Sequence, residues 1–366
     1  MATVVFAPDS FKGSATATEV AAALAAGWLS VRPDDRAVPM PMADGGEGTL
    51  DAFEAAVPGS SRRPVRVTGP DGVDREASWL LLPGGSAVVE LAETSGIGLM
   101  PALAAFDAQT AGFGQAIAAA LDAGATRLLL AIGGSASTDG GAGMLSALGA
   151  RLLDATGSYI APGNRGLAEL AAVDLTGLRP LPLGGARILS DVTNPLLGPE
   201  GAAAVFGPQK GASAVDVPVL EAGLARFASA LREAGLGVDP RTPGAGAAGG
   251  TGFGLLAWGA ELAPGAAAVG EALGLPAALA EADVVVTGEG RYDSQSAAGK
   301  VPEYVALLAA AAGIPALLAA GSIAAEPRGF AGAASLSELA GGRAAAMAEP
   351  LRWARAAGAA LARARA

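Results

Sequence analysis

The sequence contains no cysteine and no histidine among its 366 residues. Without cysteine the chain can form no disulfide, no thiolate metal site and no cysteine nucleophile. Without histidine it lacks the commonest general base and cannot build a serine–histidine triad. Proton transfer must therefore use carboxylates, lysine, bound water or groups activated by a metal ion.

Charged residues and long apolar runs are also scarce. Charged residues make up 16% of the chain and hydrophobic residues 51%, and the apolar residues come in short runs interrupted by glycine. None reaches the roughly 18 residues that could span a bilayer. The first strand-like run, Val4 to Ala7, follows no basic flank or cleavage site of a signal peptide. We therefore expect a cytoplasmic protein with no membrane partner.

The net charge of −11 is strongly acidic. Non-specific binding to nucleic acid needs basic clusters that displace counterions from phosphates, so no nucleic-acid partner is expected. The ligand should be a small molecule.

Lysine is rare: the chain has three, Lys12, Lys210 and Lys300, against 21 arginines. Each lies beside a glycine in a polar motif. A coding bias towards alanine and arginine could leave three lysines at random. The functional alternative is that a compact, flexible ammonium binds phosphate at these positions, a task that the planar guanidinium of arginine performs differently.

Apolar strand-like runs alternate with alanine-rich helical stretches, the pattern that builds a parallel sheet covered by helices. Between residues 65 and 93 two alternating runs predict antiparallel hairpin strands instead. We therefore predict an α/β fold of two α/β domains, one inserted in the other, with parallel-rich sheets and helices on both faces. The first domain would comprise residues 1–65 and 282–366, and the inserted domain residues 66–281. Later helices are predicted at the following positions: 141–153, 301–312 and 336–364.

Two polar motifs follow the first two predicted strands. Asp9, Ser10 and Lys12 come directly after the first strand, where ligands bind in an open α/β sheet. A helix cap plus a solvated lysine is the alternative. Asp44 and Glu47 follow the second strand among three glycines, which would let the backbone approach a ligand while the carboxylates offer oxygens suited to magnesium.

A glycine-rich segment, residues 132–143, has the strand–loop–helix pattern that binds anions through exposed N–H groups. It lacks the GK[ST] ending of a Walker motif and is not a clean GxGxxG fingerprint. Gly133, Gly134 and Ser135 are accordingly candidates for binding a phosphate or a carboxylate.

The segment from Ser190 to Leu196 ends another predicted strand and contains Asp191 and Asn194. An aspartate in this position can be a base, a magnesium ligand or only the former of an Asx turn. Lys210 follows in a loop and would bind phosphate.

The last motif, residues 287–300, places two carboxylates, an arginine and a lysine at the end of a predicted strand. Its candidate residues are Glu289, Arg291, Asp293, Gln295 and Lys300. A solvated loop rarely needs so many charges.

Together these motifs supply acids for a metal, lysines for phosphate and glycine loops for anions, the components of phosphoryl transfer by positioning and charge stabilisation. A binding protein that senses hydroxy acids would need the pocket but not the full set of charges. A nicotinamide dehydrogenase would need a GxGxxG after the first strand and an acidic residue about 20 positions on, and neither is there.

The chain resembles the class I glycerate kinases, also called glycerate 2-kinases, over nearly its whole length. Several motifs carry the resemblance in order, and they are APDSFKGS, MADGGEGT, GGSASTDGGAGML, SDVTNPLLGPEGAAAVFGPQKGA, GAGAAGG and TGEGRYDSQSAAGKVP. The resemblance implies phosphorylation of D-glycerate by ATP and Mg²⁺, usually at the 2-hydroxyl. Gly13 and the pair Ser137–Thr138 depart from the residues common in the family, which bears on fine specificity more than on the reaction.

The site expectations divide into three groups. Four residues should be catalytic, and they are Asp9, Lys12, Asp191 and Lys300. Eight should bind substrate or phosphate, and they are Ser10, Gly133, Gly134, Ser135, Asn194, Lys210, Arg291 and Gln295. Three should bind the metal, and they are Asp44, Glu289 and Asp293. Asp191 would act as the base or orient the substrate, although Asp44 or Asp293 could serve instead. The protein is expected to be a monomer or a homodimer.

Overall fold

The computed structural model describes residues 1–293 and 300–365. Its thirteen strands are β1 (Thr3–Pro8), β2 (Arg36–Pro39), β3 (Ser61–Thr68), β4 (Asp74–Leu81), β5 (Ser86–Glu90), β6 (Arg127–Ala131), β7 (Arg151–Leu153), β8 (Ala172–Asp174), β9 (Ala186–Leu189), β10 (Glu261–Ala263), β11 (Val284–Tyr292), β12 (Ala316–Ile323) and β13 (Gly332–Ser335) within those residues.

Fifteen α-helices lie among the same residues. They are α1 (Ala17–Leu29), α2 (Thr49–Ala56), α3 (Leu91–Ser95), α4 (Ala111–Asp122), α5 (Ala142–Ala147), α6 (Gly163–Leu167), α7 (Ala202–Phe206), α8 (Val217–Glu233), α9 (Thr251–Trp258), α10 (Gly265–Leu273), α11 (Leu275–Ala280), α12 (Val301–Ala312), α13 (Leu336–Ala340), α14 (Arg343–Ala348) and α15 (Pro350–Ala364). Within the described ranges, no helix has both the length and the apolarity that a membrane span requires.

The chain forms two compact units. Unit 1 contains residues 1–44, 51–58 and 264–366, and unit 2 contains residues 45–50 and 59–263. Both combine helices with sheets rich in parallel pairs, so the predicted α/β class is confirmed.

The expected domain boundaries, 66 and 281, differ from the positions where the units divide. β3 pairs along its whole length with β4, which keeps its first residues in unit 2. The helices α10 and α11 pack in unit 1, where Gly270 lies against the ring of Tyr304 in α12. That the units fold as independent domains stays a prediction.

Unit 1 is built on a five-stranded sheet in the order β13-β12-β11-β1-β2. All its pairs are parallel, so the carboxyl ends of the strands share one edge. Val4 and Phe6 of β1 belong to a buried cluster with residues of α1 and α15. The ring of Phe6 meets that of Trp28 edge to face at 6.1 Å, while α12 packs elsewhere on the sheet with Val305 fully buried.

Unit 2 is built on a six-stranded mixed sheet in the order β10-β9-β6-β5-β4-β3. β10, β9, β6 and β5 run parallel, and β4 and β3 continue the sheet antiparallel, as the alternating runs between residues 65 and 93 predict. A separate antiparallel pair joins β7 and β8. Phe113, Phe227 and Phe253 lie in the hydrophobic core of unit 2.

Two helix predictions need correction. The helix expected over 141–153 ends at Ala147, because Gly149, at φ +107°, turns the chain into β7. The helix expected over 336–364 is three helices, interrupted at Gly341–Gly342 and at Glu349. The helix predicted at 301–312 has those bounds.

The helices α1 and α15 of unit 1 cross at two glycines, Gly27 and Gly358. A Cβ added to Gly27 of α1 would collide with the carbonyl oxygen of Arg355 in α15. A Cβ on Gly358 of α15 would collide in turn with the carbonyl oxygen of Leu24. The two backbones therefore touch directly, and neither neighbour is a flexible side chain that could move aside.

Gly27→Ala should destabilise the protein by about 1–3 kcal/mol, the cost typical of overpacking a core. Denaturant unfolding measures the change. Gly98→Ala is the matched control, because Gly98 has a φ that other residues adopt and nothing within 4 Å of an added Cβ. Equal midpoints for the two variants would show that the crossing is not tight.

Candidate active site

A cavity of about 270 Å³ lies at the carboxyl ends of β1, β11 and β12 in unit 1; we call it the strand-end cavity. Parallel strands direct their following loops to this edge. Its charged and hydroxyl lining residues are Asp9, Ser10, Lys12, Ser14, Asp44, Glu289, Arg291, Asp293, Lys300, Ser322, Ser337 and Arg343. The structure therefore brings together the unit 1 residues that the first, second and last motifs predict.

Asp9 is a strongly perturbed carboxylate of this cavity. Its side chain is buried, and one oxygen accepts a hydrogen bond from the N–H of Ser10 at 2.6 Å. Burial is the largest effect and raises the pKa of Asp9 well above its usual range, and the negative charges of Asp44 and Glu289 raise it further. The positive charge of Lys12 and the Ser10 hydrogen bond oppose this rise.

The basic residues of the cavity differ in their surroundings. Lys12 is exposed, and its Nζ lies 3.7 Å from Oδ2 of Asp44. Arg291 is also exposed and places Nε 3.3 Å from Oδ2 of Asp293. Ion pairs in which one partner is exposed to solvent contribute about 1 kcal/mol or less, so these two pairs add little to the stability of the protein. Lys300 stands at the N-cap of α12 and lines the same cavity.

The oxygen donors fit a magnesium site. Asp44 and Glu289 repel the negative charge of Asp9, and a divalent cation would relieve that repulsion. Among the described residues no three acidic side chains are already gathered as a metal cage. Mg²⁺ commonly uses only one or two carboxylates together with water and phosphate oxygens, so the donor set remains suitable. Asp44 and Asp293 each also lie beside a cation, Lys12 and Arg291.

A second cavity, of about 280 Å³, lies in unit 2; we call it the loop cavity. Its lining residues are Ile97, Ile132, Gly133, Gly134, Ser135, Ser190, Val192, Phe206, Gln209, Lys210 and Ala248. The third and fourth motifs therefore meet here, together with the alanine–glycine segment 244–250.

Lys210 is buried, contrary to the usual solvated position of a lysine, with 2% of its surface exposed. Its Nζ donates hydrogen bonds to Oγ of Ser135, at 2.8 Å, and to the carbonyl oxygen of Ser137. Burial lowers the pKa of Lys210 to about 7, and the negative charge of Asp139 opposes that shift. These two hydrogen bonds connect Lys210 to the glycine-rich loop and stabilise its conformation.

Asp139 fixes the far end of the same loop. Its fully buried carboxylate accepts hydrogen bonds from N and Oγ1 of Thr110, at 3.0 and 2.7 Å, and from the N–H groups of Gly141 and Gly143, at 3.1 and 3.2 Å. The carboxylate thereby satisfies amides at the start of α5 and joins them to the start of α4.

Glycines of the second motif lie where segments of the chain pack closely. A Cβ on Gly133 would come 2.5 Å from the Cα of Gly46, and one on Gly45 would collide with the backbone of Leu189. These glycines therefore allow chain segments of unit 2 to meet. Glu90, which the sequence analysis did not single out, accepts hydrogen bonds from the N–H groups of Gly48 and Leu50.

The remaining expected residues lie as follows. Asp191 is partly buried after β9, between Ser190 and Val192 of the loop cavity. The side chain of Asn194 donates to the carbonyl oxygen of Glu200 at 2.8 Å and so shapes its own loop. Gln295 lies outside the described residues. The roles expected for all the site residues stay predictions.

Comparison with known proteins decides the family. The model of the Glycerate kinase family matches residues 4–365. The chain belongs to the glycerate kinase family. Membership makes it a kinase, an enzyme class that takes its phosphoryl group from ATP, and confirms the resemblance that the motifs indicated.

Relatives in the glycerate kinase family cover most of the chain. The glycerate 2-kinase of Escherichia coli K12 is 46% identical over 326 residues, which are 87% of this chain and 85% of that protein. The glycerate kinase of Bacillus subtilis 168 is 46% identical over 329 residues, with the same shares. A crystal structure assigned as glycerate kinase 2 of Salmonella typhimurium LT2 superposes with a TM-score of 0.85 at 41% identity, covering 100% of this chain and 98% of that one.

Asp9→Asn should stabilise the folded protein at neutral pH while lowering kinase turnover. Since the folded pKa of Asp9 is raised, the ionised side chain costs stability above that pKa, and the cost disappears as pH falls below the unfolded pKa. The melting temperature of the variant should exceed that of the wild type at pH 8, and the gap should close towards pH 4.

The exposed aspartate Asp34 gives the matched control, and Asp34→Asn should leave the melting temperature at pH 8 close to that of the wild type. A melting temperature of Asp9→Asn below that of the wild type at pH 8 would contradict the account of Asp9.

Proposed function

We propose that the protein transfers the γ-phosphoryl group of ATP to the 2-hydroxyl of D-glycerate and releases 2-phosphoglycerate. The strand-end cavity carries this proposal, because it gathers carboxylates, lysines and an arginine at the edge of a parallel sheet. The similarity to a glycerate 2-kinase at 46% identity supports the choice of substrate and of hydroxyl.

Phosphoryl transfer needs positioning and neutralisation of charge more than covalent chemistry. Lys12 and Lys300 are the flexible cations of the strand-end cavity and would bind phosphate oxygens, with Arg291 as a further contact. Asp44, Glu289 and Asp293 would hold Mg²⁺ beside Asp9, and the bound ion would offset the charge of the phosphates. The raised pKa of Asp9 agrees with a cation bound beside it, because a nearby positive charge favours the ionised form of the side chain.

The acceptor hydroxyl loses its proton during transfer, and a carboxylate is one group that can accept it in a chain without histidine. We assign this role, or the orientation of glycerate, to Asp191, which follows a strand end beside the loop cavity. The loose transition state of phosphoryl transfer needs no strong base, so most of the effect of Asp191 would come from positioning. The stereochemistry of glycerate, a cytoplasmic location, and a monomeric or homodimeric state belong to the same proposal.

The product distinguishes this reaction from its closest alternative. With glycerate and ATP–Mg²⁺, phosphorus NMR should show 2-phosphoglycerate formed in step with ADP. Appearance of 3-phosphoglycerate would overturn the choice of hydroxyl and leave the kinase assignment intact. Consumption of ATP without any glycerate ester would overturn the substrate.

Asp191→Asn keeps the shape of the side chain and removes its charge. We expect glycerate-dependent turnover to fall at least about 100-fold, the lower end for a positioned acid or base, while ATP binding, measured calorimetrically, stays unchanged. Asp122→Asn is the control, because Asp122 is an aspartate of the same unit with a side chain 62% exposed. Retained turnover with weakened magnesium binding would exchange the roles of Asp191 and the metal carboxylates.

A further inference from the structure

Several hydrogen-bond donors of unit 2 converge on the loop cavity. Lys210 has three N–H groups and directs two of them to Oγ of Ser135 and to the carbonyl oxygen of Ser137. Because Oγ of Ser135 accepts from Lys210 and donates to no other described residue, its own hydrogen is available to a ligand. Ser135 is itself more than nine-tenths buried and lines the cavity.

The backbone of the loop adds to these donors. The N–H of Gly133 is bonded to the carbonyl oxygen of Gly45, and that of Ala136 to the carbonyl oxygen of Ser95. The N–H groups of Gly134 and Ser135, between these two anchors, donate to no other described residue. A loop held at both ends with amides left over in the middle is the arrangement that binds anions.

We propose that the loop cavity binds an anionic oxygen group, a carboxylate or a phosphate, and that Lys210 is a positioning residue which takes up a proton when the anion enters. The buried ammonium fixes the hydroxyl of Ser135 as a donor and supplies the charge that the anion needs. The choice of ligands to test rests on the proposed function.

The coupling to protons follows from the burial of Lys210. Its pKa of about 7 in the empty site means that much of the population is neutral above pH 7. An anion nearby favours the charged form, so binding must draw a proton from solution. Asp139, whose charge already acts on Lys210, is present in both states, and Asp191 lies between two lining residues; neither neutralises an incoming anion.

Lysine is the cation suited to this role. An arginine would stay charged at every pH of interest, whereas a lysine shifts its pKa readily on burial. The third N–H of the ammonium, together with Ser135 and the two amides, gives a donor set for two oxygens of one anion.

Isothermal titration calorimetry in buffers of different ionisation enthalpy measures protons taken up on binding. The probes are D-glycerate, sodium sulfate and ATP–Mg²⁺, and the proteins are wild type, Lys210→Met, Ser135→Ala and Arg232→Met. Arg232→Met is the control because it removes an exposed cation of the same unit. Protons taken up by ATP itself are the same for all proteins, so the difference between wild type and Lys210→Met is decisive.

At pH 8 we expect wild type and Arg232→Met to take up nearly one proton for each anion bound, and this number to fall towards zero below about pH 6. Lys210→Met should lose the uptake and bind about 10- to 100-fold more weakly, the loss of a hydrogen bond to a charged group. Ser135→Ala should bind more weakly yet keep the uptake. Circular dichroism establishes that the variants are folded.

The probe that shows the effect identifies the anion. Uptake with glycerate assigns the cavity to a carboxylate, and uptake only with ATP assigns it to a phosphate; sulfate reports the site without titrating near neutral pH. The proposal is wrong if wild type takes up no proton, if folded Lys210→Met takes up as many, or if no probe binds. Anion-coupled uptake in a protein that makes no phosphoglycerate would instead overturn the proposed function alone.

Discussion

Direct contact between backbone segments is the constraint on which the loop cavity depends. Gly133 meets Gly46, and a side chain at Gly249 would collide with the carbonyl oxygen of Ser137 while lying 2.7 Å from Nζ of Lys210. The backbone next to Gly249 has an unusual conformation. Ala248 has φ +53°, the only positive φ of a non-glycine residue in the described chain. The loops are therefore fixed by chain-to-chain packing before any ligand arrives.

Charge burial gives the two cavities a common energetic character. In the strand-end cavity burial favours the protonated form of Asp9, and in the loop cavity burial favours the neutral form of Lys210. Each pKa shift therefore lowers the free energy of unfolding of the ligand-free protein near neutral pH, compared with a protein in which these two side chains have ordinary pKa values. A bound cation would favour ionised Asp9, and a bound anion would favour charged Lys210. Binding would then offset the free-energy cost of burying these two charges. Perturbed groups of this kind are typical of functional sites.

The sequence predicts the strand-end positions well because the local signal is complete there. An apolar run followed by a polar motif, as at β1, can be recognised from neighbouring residues alone. The helix at 301–312 is likewise marked locally, by a proline in its first turn and by Gly313 directly after its last residue. The scarcity of lysine also indicates that Lys210 is a functional residue, but it does not indicate that its side chain is buried. The roles of Glu90 and of the buried Asn164, which donates to the carbonyl oxygens of Thr138 and Leu220, could not be predicted. Their partners lie about 26 to 56 residues away along the chain, and sequence patterns of period 2 or 3.6 carry no such information.

The order of strands in the sheet of unit 1 has a consequence for synthesis of the protein. β1 lies between β2 and β11, and Oγ1 of Thr287 bonds to the carbonyl oxygen of Ala7 across a separation of 280 residues. On the ribosome, β1 emerges first but obtains its central partner only after all of unit 2 has been translated. At about 5–20 residues per second this wait lasts on the order of ten seconds or more. The edge of β1 that pairs with β11 therefore stays without its partner strand while unit 2 is being synthesised.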